Sequence, residues 1–134
     1  MVLLYLDLIY HQIKNPEMFM GVFPCDLLPR HKVQQKPAAY IVNTDNSQQR
    51  GHHWVLIILC DNKNSIFFDS YGLSPENVVF PKDFIQFLKR NSTRITYQNR
   101  QLQDTVSSYC GHYCIFMLHH IARGVSYKKC IKIL

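Results

Sequence analysis

Residues 54–69 read Trp54-Val-Leu-Ile-Ile-Leu-Cys60, then Asp61-Asn-Lys-Asn64, then Ser65-Ile-Phe-Phe-Asp69. The first block is apolar throughout and rich in β-branched side chains, which is typical of a central strand covered on both faces. The polar block after it has the composition of a hairpin turn. The last block therefore predicts an antiparallel neighbouring strand that ends at Asp69.

The sequence on either side of this hairpin predicts a single α+β domain. It indicates strands at residues 38–43 and 95–98, helices at residues 83–90 and 109–122, and a helix terminator at Gly124. We also expect a helical stripe over residues 2–13, an irregular apolar segment over residues 19–29 and a helix start at Ser74-Pro75. The expected fold is a small mixed or antiparallel β-sheet packed by helices, with residues 109–122 as the central buried helix.

The composition is that of a basic globular protein. The 134 residues are enough for one domain, and 47% of them are apolar against 18% charged. The net charge of +6 suits a polyanionic partner such as nucleic acid. No stretch approaches the ~18 apolar residues of a membrane span, so we expect no membrane partner.

The five cysteines are odd in number and include no Cys-x-x-Cys pair. The amino terminus lacks the basic residues of a signal peptide, and Asp7 interrupts its apolar run. We therefore expect reduced, mostly buried thiols in an intracellular protein that is not secreted.

The start of the last predicted helix carries a candidate nucleophile. Cys110 is followed by Gly111 and then by an apolar helical run. The amino terminus of a helix presents unpaired N–H groups and the positive end of the dipole, both of which favour a thiolate. Gly111 lets a substrate approach the backbone closely.

The hairpin offers a base and an orienting acid for such a nucleophile. His53 precedes the central strand, where a neutral imidazole can take a thiol proton. Neighbours in an extended segment point to opposite faces, so His52 is the alternative base. The start of one hairpin strand lies beside the end of the other, which brings Asp69 to His53. We expect structural roles for three other histidines, which lie at unsuitable positions on the Cys110 helix: His112, His119 and His120.

An oxyanion hole needs two donors. The backbone N–H of Cys110 is one candidate, because it lies at a helix start. The side-chain amide of Gln103 is a second, because its loop must lead back to Cys110. Gln101 is the alternative in the same loop.

These residues together resemble the adenovirus-type cysteine proteases, the adenain family. The matching segments are Phe19-Met20-Gly21, Tyr40-Ile41-Val42-Asn43-Thr44, Gly51-His52-His53-Trp54, Phe67-Phe68-Asp69-Ser70-Tyr71-Gly72 and Gln103-x6-Cys110-Gly111-x-Tyr113-Cys114. The ordered set of His-Trp, Asp, Gln and Cys-Gly is far more specific than any one of its parts. Wider relatives are the proteases of SUMO and other ubiquitin-like proteins.

The resemblance implies roles for four residues. It makes Cys110 the nucleophile, His53 the base, Asp69 the orienting acid and Gln103 the oxyanion donor. It also implies the helix-and-sheet arrangement of papain-like cysteine proteases, in one domain over residues 1–134 that is shorter at its carboxyl end than the family.

The implied function is a cysteine endopeptidase of a virus or of a Polinton or Maverick transposon. Such an enzyme would act as a monomer in the host nucleus or the virion, and would cleave capsid or precursor polypeptides after small residues. It needs no cofactor for its chemistry, and DNA or a peptide would be its activator. Arg94 stands where the family carries the cysteine that bonds its activating peptide, which argues against a covalent link here.

Three other readings stay open at this point. The catalytic residues are shared with isopeptidases of ubiquitin-like proteins. The basic charge also fits a degenerate protease that is kept for DNA binding. Cys110 and Cys114, at helical i, i+4 spacing with histidines nearby, admit a zinc site, although no second pair completes four ligands.

Overall fold

The computed structural model describes residues 16–102 and 109–134. Within these ranges the strands are β1 (Phe19–Pro24), β2 (Ala38–Asn43), β3 (Trp54–Leu59), β4 (Asn64–Phe68) and β5 (Arg94–Thr96). The helices are α1 (Lys82–Asn91), α2 (Cys110–Ala122) and α3 (Tyr127–Ile133), with short 3₁₀ turns at Pro16–Met18 and Cys25–Leu27. The expected helical stripe over residues 2–13 lies outside the described residues.

The strands form one mixed sheet in the order β1-β2-β3-β4-β5. The inner pairs, β2 with β3 and β3 with β4, are antiparallel, whereas each edge strand runs parallel to its neighbour. The hairpin has the expected form, with Leu56 opposite Phe68 and Ile57 opposite Phe67. The predicted α+β class with a mixed sheet is confirmed.

Strand β3 is buried on both faces, as its continuous apolar sequence predicted. One face belongs to the core under α2, which includes Trp54, Leu56 and Ile58 of β3. The alternate β3 residues belong to the core under α1, together with Phe84 and Phe87 of that helix. Alternation along the strand therefore gives each helix its own core, with the sheet as the layer between them.

Helix α2 is apolar around most of its surface, and its buried residues include Cys114, Met117 and Leu118. It ends at a turn in which Gly124 has φ +89° and donates its N–H to the Ile121 carbonyl. Helix α3, which the sequence reading missed, starts where the Ser126 side chain accepts a hydrogen bond from the Lys129 N–H. Its buried Cys130 joins the core under α2.

Two local expectations were wrong. Residues 19–24 form a strand, β1, because they pair with β2 in a parallel ladder that local patterns do not reveal. Gly21 and Pro24, which suggested irregular chain, lie at a register shift and at the end of this edge strand. Ser74 starts a series of turns instead of a helix. The Asn77 N–H donates to the Ser74 carbonyl, and the Phe80 N–H donates to the Asn77 carbonyl.

Among the described residues, no helix is both long enough and apolar enough to cross a bilayer.

The chain turns sharply after β4. The Gly72 N–H donates to the Asp69 carbonyl at 2.9 Å, and Gly72 has φ +76°. A Cβ atom at Gly72 would lie 2.7 Å from the backbone carbonyl of Arg100, closer than real contacts allow. The turn and the segment before residue 103 are therefore packed backbone to backbone.

This packing predicts unequal costs for two glycine substitutions. Gly124→Ala meets no atom within 4 Å, so it should lower the free energy of unfolding only by the ~1–2 kcal/mol of a left-handed alanine. Gly72→Ala should cost roughly 1–3 kcal/mol more, because the new methyl group overpacks against Arg100. Urea unfolding of both variants measures the difference. Equal losses would contradict the close approach at Gly72.

Candidate active site

Three of the residues singled out in the sequence meet at one end of the sheet. His53 immediately precedes β3, Asp69 immediately follows β4, and Cys110 is the first residue of α2. The β3–β4 ladder pairs Leu56 with Phe68, so its next step would pair Val55 with Asp69. The hairpin register thus brings Asp69 to the mouth of β3, where His53 lies.

The His53–Asp69 contact is direct and buried. The Nε2 atom of His53 lies 2.5 Å from Oδ1 of Asp69, and the carboxylate is fully shielded from solvent. The second carboxylate oxygen accepts the Leu73 N–H at 3.0 Å. Because both oxygens are engaged, Asp69 has a fixed orientation and fixes the tilt of the imidazole.

The Cys110 thiol and the His53 side chain lie close enough for each to shift the pKa of the other. Since Nε2 of His53 faces Asp69, Nδ1 is the ring nitrogen left for the sulfur. The backbone N–H groups of Trp54 and Gly111 also interact with Sγ. Carboxylate, imidazole and thiol therefore form one continuous buried array.

The array separates the proton affinities of its members. Burial opposes the charged imidazole, but the hydrogen bonds to Asp69 and Cys110 outweigh it and raise the pKa of His53 to about 9. Burial also opposes a thiolate at Cys110. The hydrogen bonds from His53, Trp54 and Gly111 overcome this, and they hold the pKa of Cys110 below its usual value. The two shifts favour a thiolate–imidazolium pair.

The pKa values of the other four cysteines are raised. All five thiols are free, and Cys60 is the one that is not buried. Burial raises the pKa of each of the other four, namely Cys25, Cys60, Cys114 and Cys130. Cys110 is therefore the one cysteine of the chain whose environment favours the thiolate.

The remaining candidates have different surroundings. His52 is exposed, and its backbone N–H donates to the Asn43 side chain at 2.9 Å. His120 contacts the carbonyl of Phe116 through its Nδ1 atom at 2.9 Å, which fits a structural role. Gln101 is exposed, and Gln103 lies outside the described residues. Among the described residues, no group of three or more His, Cys, Asp or Glu side chains is placed to hold a metal ion.

The Cys110 N–H lies in the first turn of α2. The first hydrogen bond of this helix runs from the Tyr113 N–H to the Tyr109 carbonyl at 3.1 Å. The Cys110 N–H, which precedes this bond, therefore has no acceptor within the helix. This agrees with the place that the sequence predicted for the Cys110 N–H.

Several supporting contacts could not be read from the sequence. Gln98 donates from Nε2 to the Asp69 carbonyl at 2.8 Å. The Leu102 N–H donates to the Ser70 carbonyl at 2.8 Å, and the Leu102 carbonyl accepts from the Tyr113 hydroxyl at 3.0 Å. These contacts join the segment before residue 103 to both the Asp69 turn and α2. They involve residues far apart in sequence, so no local pattern predicts them.

An open cavity of about 450 Å³ lies at the start of β3, and none of His53, Asp69 and Cys110 lines it. Its wall includes His52 and Trp54, the two neighbours of His53, together with Gly51 and Asn43. The buried Nδ2 atom of Asn43 has no hydrogen-bond partner, although Oδ1 of the same side chain accepts two backbone N–H groups. The cavity therefore combines room for a ligand with an unsatisfied donor in its wall.

Comparison with known proteins finds similarity to two viral proteases. The protease of bovine adenovirus C serotype 10 is 27% identical over 99 residues, which are 66% of this chain and 50% of that protein. The crystal structure of the ASFV pS273R protease is 27% identical, with a TM-score of 0.45, over 72% of this chain and 39% of the other. The chain thus spans about half the length of the adenovirus protease.

The match to the family itself is broader. The adenovirus endoprotease family matches residues 19–130, from the first residue of β1 to the buried cysteine of α3. This match takes in His53, Asp69 and Cys110 along with the whole described sheet. The chain belongs to the adenovirus endoprotease family.

Proposed function

We propose that this chain is a cysteine endopeptidase in which Cys110 is the nucleophile, His53 the general base and Asp69 the orienting acid. The observation that carries the proposal is the buried array of Asp69, His53 and Cys110, in which the pKa of the imidazole is raised and that of the thiol is lowered. Family membership supports it independently.

The chemistry follows from the order of the array. The Cys110 thiolate adds to the carbonyl carbon of the scissile peptide bond and forms a tetrahedral oxyanion. The imidazolium of His53 then gives its proton to the leaving amine, and a thioester remains on Cys110. His53, now neutral, takes a proton from water as the water attacks the thioester. Hydrolysis releases the acid and restores the thiolate–imidazolium pair.

Two donors would stabilise the oxyanion. The Cys110 N–H is one, because it lies in the first turn of α2 without an acceptor in the helix. The Gln103 side chain would be the other. Its support is the docking of Leu102, the preceding residue, against the Ser70 carbonyl beside Asp69.

The proposed substrates are capsid or precursor polypeptides of a virus or transposon, cut after small residues such as Gly-Gly. Family membership supports a polypeptide substrate. DNA and a peptide remain proposed activators. DNA is favoured by the net charge of +6 and by exposed basic residues such as Arg94, Arg100 and Lys128.

The function is tested by cleavage and by thiol labelling. Wild-type protein should cleave a Gly-Gly-containing precursor peptide, and Cys110→Ala should abolish this activity. Cys60→Ala, which removes the most exposed of the other thiols, should retain it. Iodoacetamide at neutral pH should modify Cys110 first, because its thiol has the lowered pKa.

The same assay separates the alternatives. It is run with and without duplex DNA and activating peptide, and with a SUMO-like precursor in parallel. Turnover of the SUMO-like precursor alone would favour the deconjugase. Cleavage by Cys110→Ala, or labelling of Cys60 ahead of Cys110, would refute the assignment of the nucleophile.

The pH dependence should show an alkaline limit set by His53. The value of kcat/KM should fall as pH rises through about 9, where the imidazolium loses its proton. Asp69→Asn removes the anion that stabilises the imidazolium, so the limit should move to lower pH. The rate should also fall by roughly 10²–10⁴-fold, because the imidazole loses its fixed tautomer.

Glu76→Gln is the control, since it removes an exposed carboxylate from a turn outside the array. It should leave both the rate and the alkaline limit unchanged. An Asp69→Asn profile that overlays the wild-type profile would show that Asp69 does not act on His53.

The oxyanion donor is tested by a matched pair of glutamines. Gln103→Ala should lower kcat by ~10²–10³-fold, the cost of losing one such donor, and should leave the alkaline limit in place. Gln101→Ala, in the same loop, should change kcat little. The reverse result would assign the donor to Gln101.

A further inference from the structure

The Gln98 side chain joins two segments of the chain that meet beside Asp69. Gln98 follows the edge strand β5, and Asp69 follows β4. The two strands are parallel, and their register pairs Ile66 with Thr96. Continued by two residues, this register brings position 98 beside position 68, at the carboxyl ends of both strands. The parallel edge of the sheet therefore places Gln98 at the turn that carries the orienting acid.

Both ends of the Gln98 side-chain amide are hydrogen-bonded. Nε2 donates to the Asp69 carbonyl at 2.8 Å, and Oε1 accepts the N–H of Arg100. A carbonyl can only accept and an N–H can only donate, so these two contacts need a donor and an acceptor on one side chain. The Asp69 carbonyl also accepts the Gly72 N–H at 2.9 Å. Gln98 can therefore be replaced without removing the hydrogen bond that closes the turn.

The segment from Gln98 to Leu102 is itself held by two helices. The Arg100 guanidinium donates to the Ile131 carbonyl of α3 at 3.1 Å. The Leu102 carbonyl accepts from the Tyr113 hydroxyl of α2 at 3.0 Å. The amide of Gln98 thus links the turn of the orienting acid to the helix that carries the nucleophile.

We propose that Gln98 is a positioning residue: its side-chain amide holds the Asp69 turn in a fixed place relative to α2, so that the carboxylate stays aligned on His53. The inference rests on the proposed function for its catalytic meaning. The two groups that hold the carboxylate itself, His53 and the Leu73 N–H, belong to the hairpin and to its own turn. Gln98 adds a contact from a segment that is bound to α2, the helix whose first residue is Cys110.

The test replaces the amide in two ways. Gln98→Met keeps the length of the side chain and removes both hydrogen bonds. Gln98→Glu keeps an acceptor for the Arg100 N–H, and its carboxyl group has a donor only when it is protonated. Gln86→Met is the matched control, because Gln86 is exposed on α1, which packs on the opposite face of the sheet from α2.

Two quantities are measured on full-length protein. The first is the pair kcat and KM for the precursor peptide. The second is the titration of His53, followed by NMR on protein labelled with ¹⁵N-histidine and assigned by the loss of its signal in His53→Gln. The titration needs no substrate.

Gln98→Met should lower kcat by roughly 10–10²-fold, the cost of displacing a catalytic group by about 1 Å, and should leave KM nearly unchanged. The titration midpoint of His53 should fall by about half to one pH unit, because the carboxylate that raises this pKa is no longer held in place. The alkaline limit of kcat/KM should fall with it. Gln86→Met should change none of these quantities.

Gln98→Glu should be less active than wild type at neutral pH, because a carboxylate repels the Asp69 carbonyl. Protonation restores the donor, so the ratio of its kcat to the wild-type kcat should rise as pH falls through the pKa of the new carboxyl group. The charged or titratable groups around that position are Asp69, Arg100 and Tyr127, the last with its hydroxyl near the Gln98 backbone. A side chain that only fills space would give no such recovery in acid.

The proposal is overturned if Gln98→Met keeps the wild-type kcat and His53 midpoint and loses only stability to urea, since Gln98 then supports the fold alone. A loss of kcat with an unchanged His53 midpoint would also overturn it, because the effect would not pass through Asp69. So would a kcat ratio for Gln98→Glu that does not vary with pH. If neither variant folds, Gln98 is needed for the fold itself and the proposal fails.

The same measurements separate this inference from the proposed function. If the His53 midpoint falls as expected in Gln98→Met but wild-type protein cleaves no peptide, the positioning of Asp69 by Gln98 stands and the proposed peptidase function fails.

Discussion

The register of the β3–β4 hairpin is the constraint on which the site depends. A slip by one residue would turn every β3 side chain to the opposite face, so Trp54, Leu56 and Ile58 would leave the core under α2. Since both faces are buried, the slip would cost packing on each side. The same register places Asp69 beside His53. Two large apolar cores therefore fix the geometry of a small polar site at the edge of the sheet.

The same burial that fixes the site also disfavours the charged forms of its side chains. His53 and Asp69 are buried, and burial disfavours charge on both side chains. The Leu73 N–H and His53 compensate for this at the carboxylate of Asp69. Gln98 binds the backbone carbonyl of the same residue. The long-range contacts of Gln98 and Leu102 thus hold the backbone of the turn that carries Asp69.

The sequence predicted the elements that depend on patterns within a short stretch of chain. The apolar run of β3, the turn at residues 61–64 and the continuity of α2 are local, and together they gave the hairpin, the α+β class and the meeting of His53 with Asp69. It did not predict β1, whose partner is a parallel strand in a different segment. Nor did it predict the contact of Gln98 with the Asp69 carbonyl, since an isolated glutamine carries no sign of what will pack against it. Gln103 remains a prediction from resemblance.

Comparison of Cys110 with Cys114 refines the physical reason for a reactive thiol. A helix amino terminus favours a thiolate, and the two residues lie one turn apart on α2. Yet burial raises the pKa of Cys114, whereas Cys110, also buried, has a lowered pKa. The difference comes from specific donors: the His53 side chain and the N–H groups of Trp54 and Gly111 act on Cys110, while the Cys114 thiol contacts a carbonyl, that of Trp54, at 3.5 Å. A position near the helix amino terminus favours a thiolate. The hairpin places His53 and Trp54 beside Cys110 and not beside Cys114 as donors, so the pKa is lowered only at Cys110.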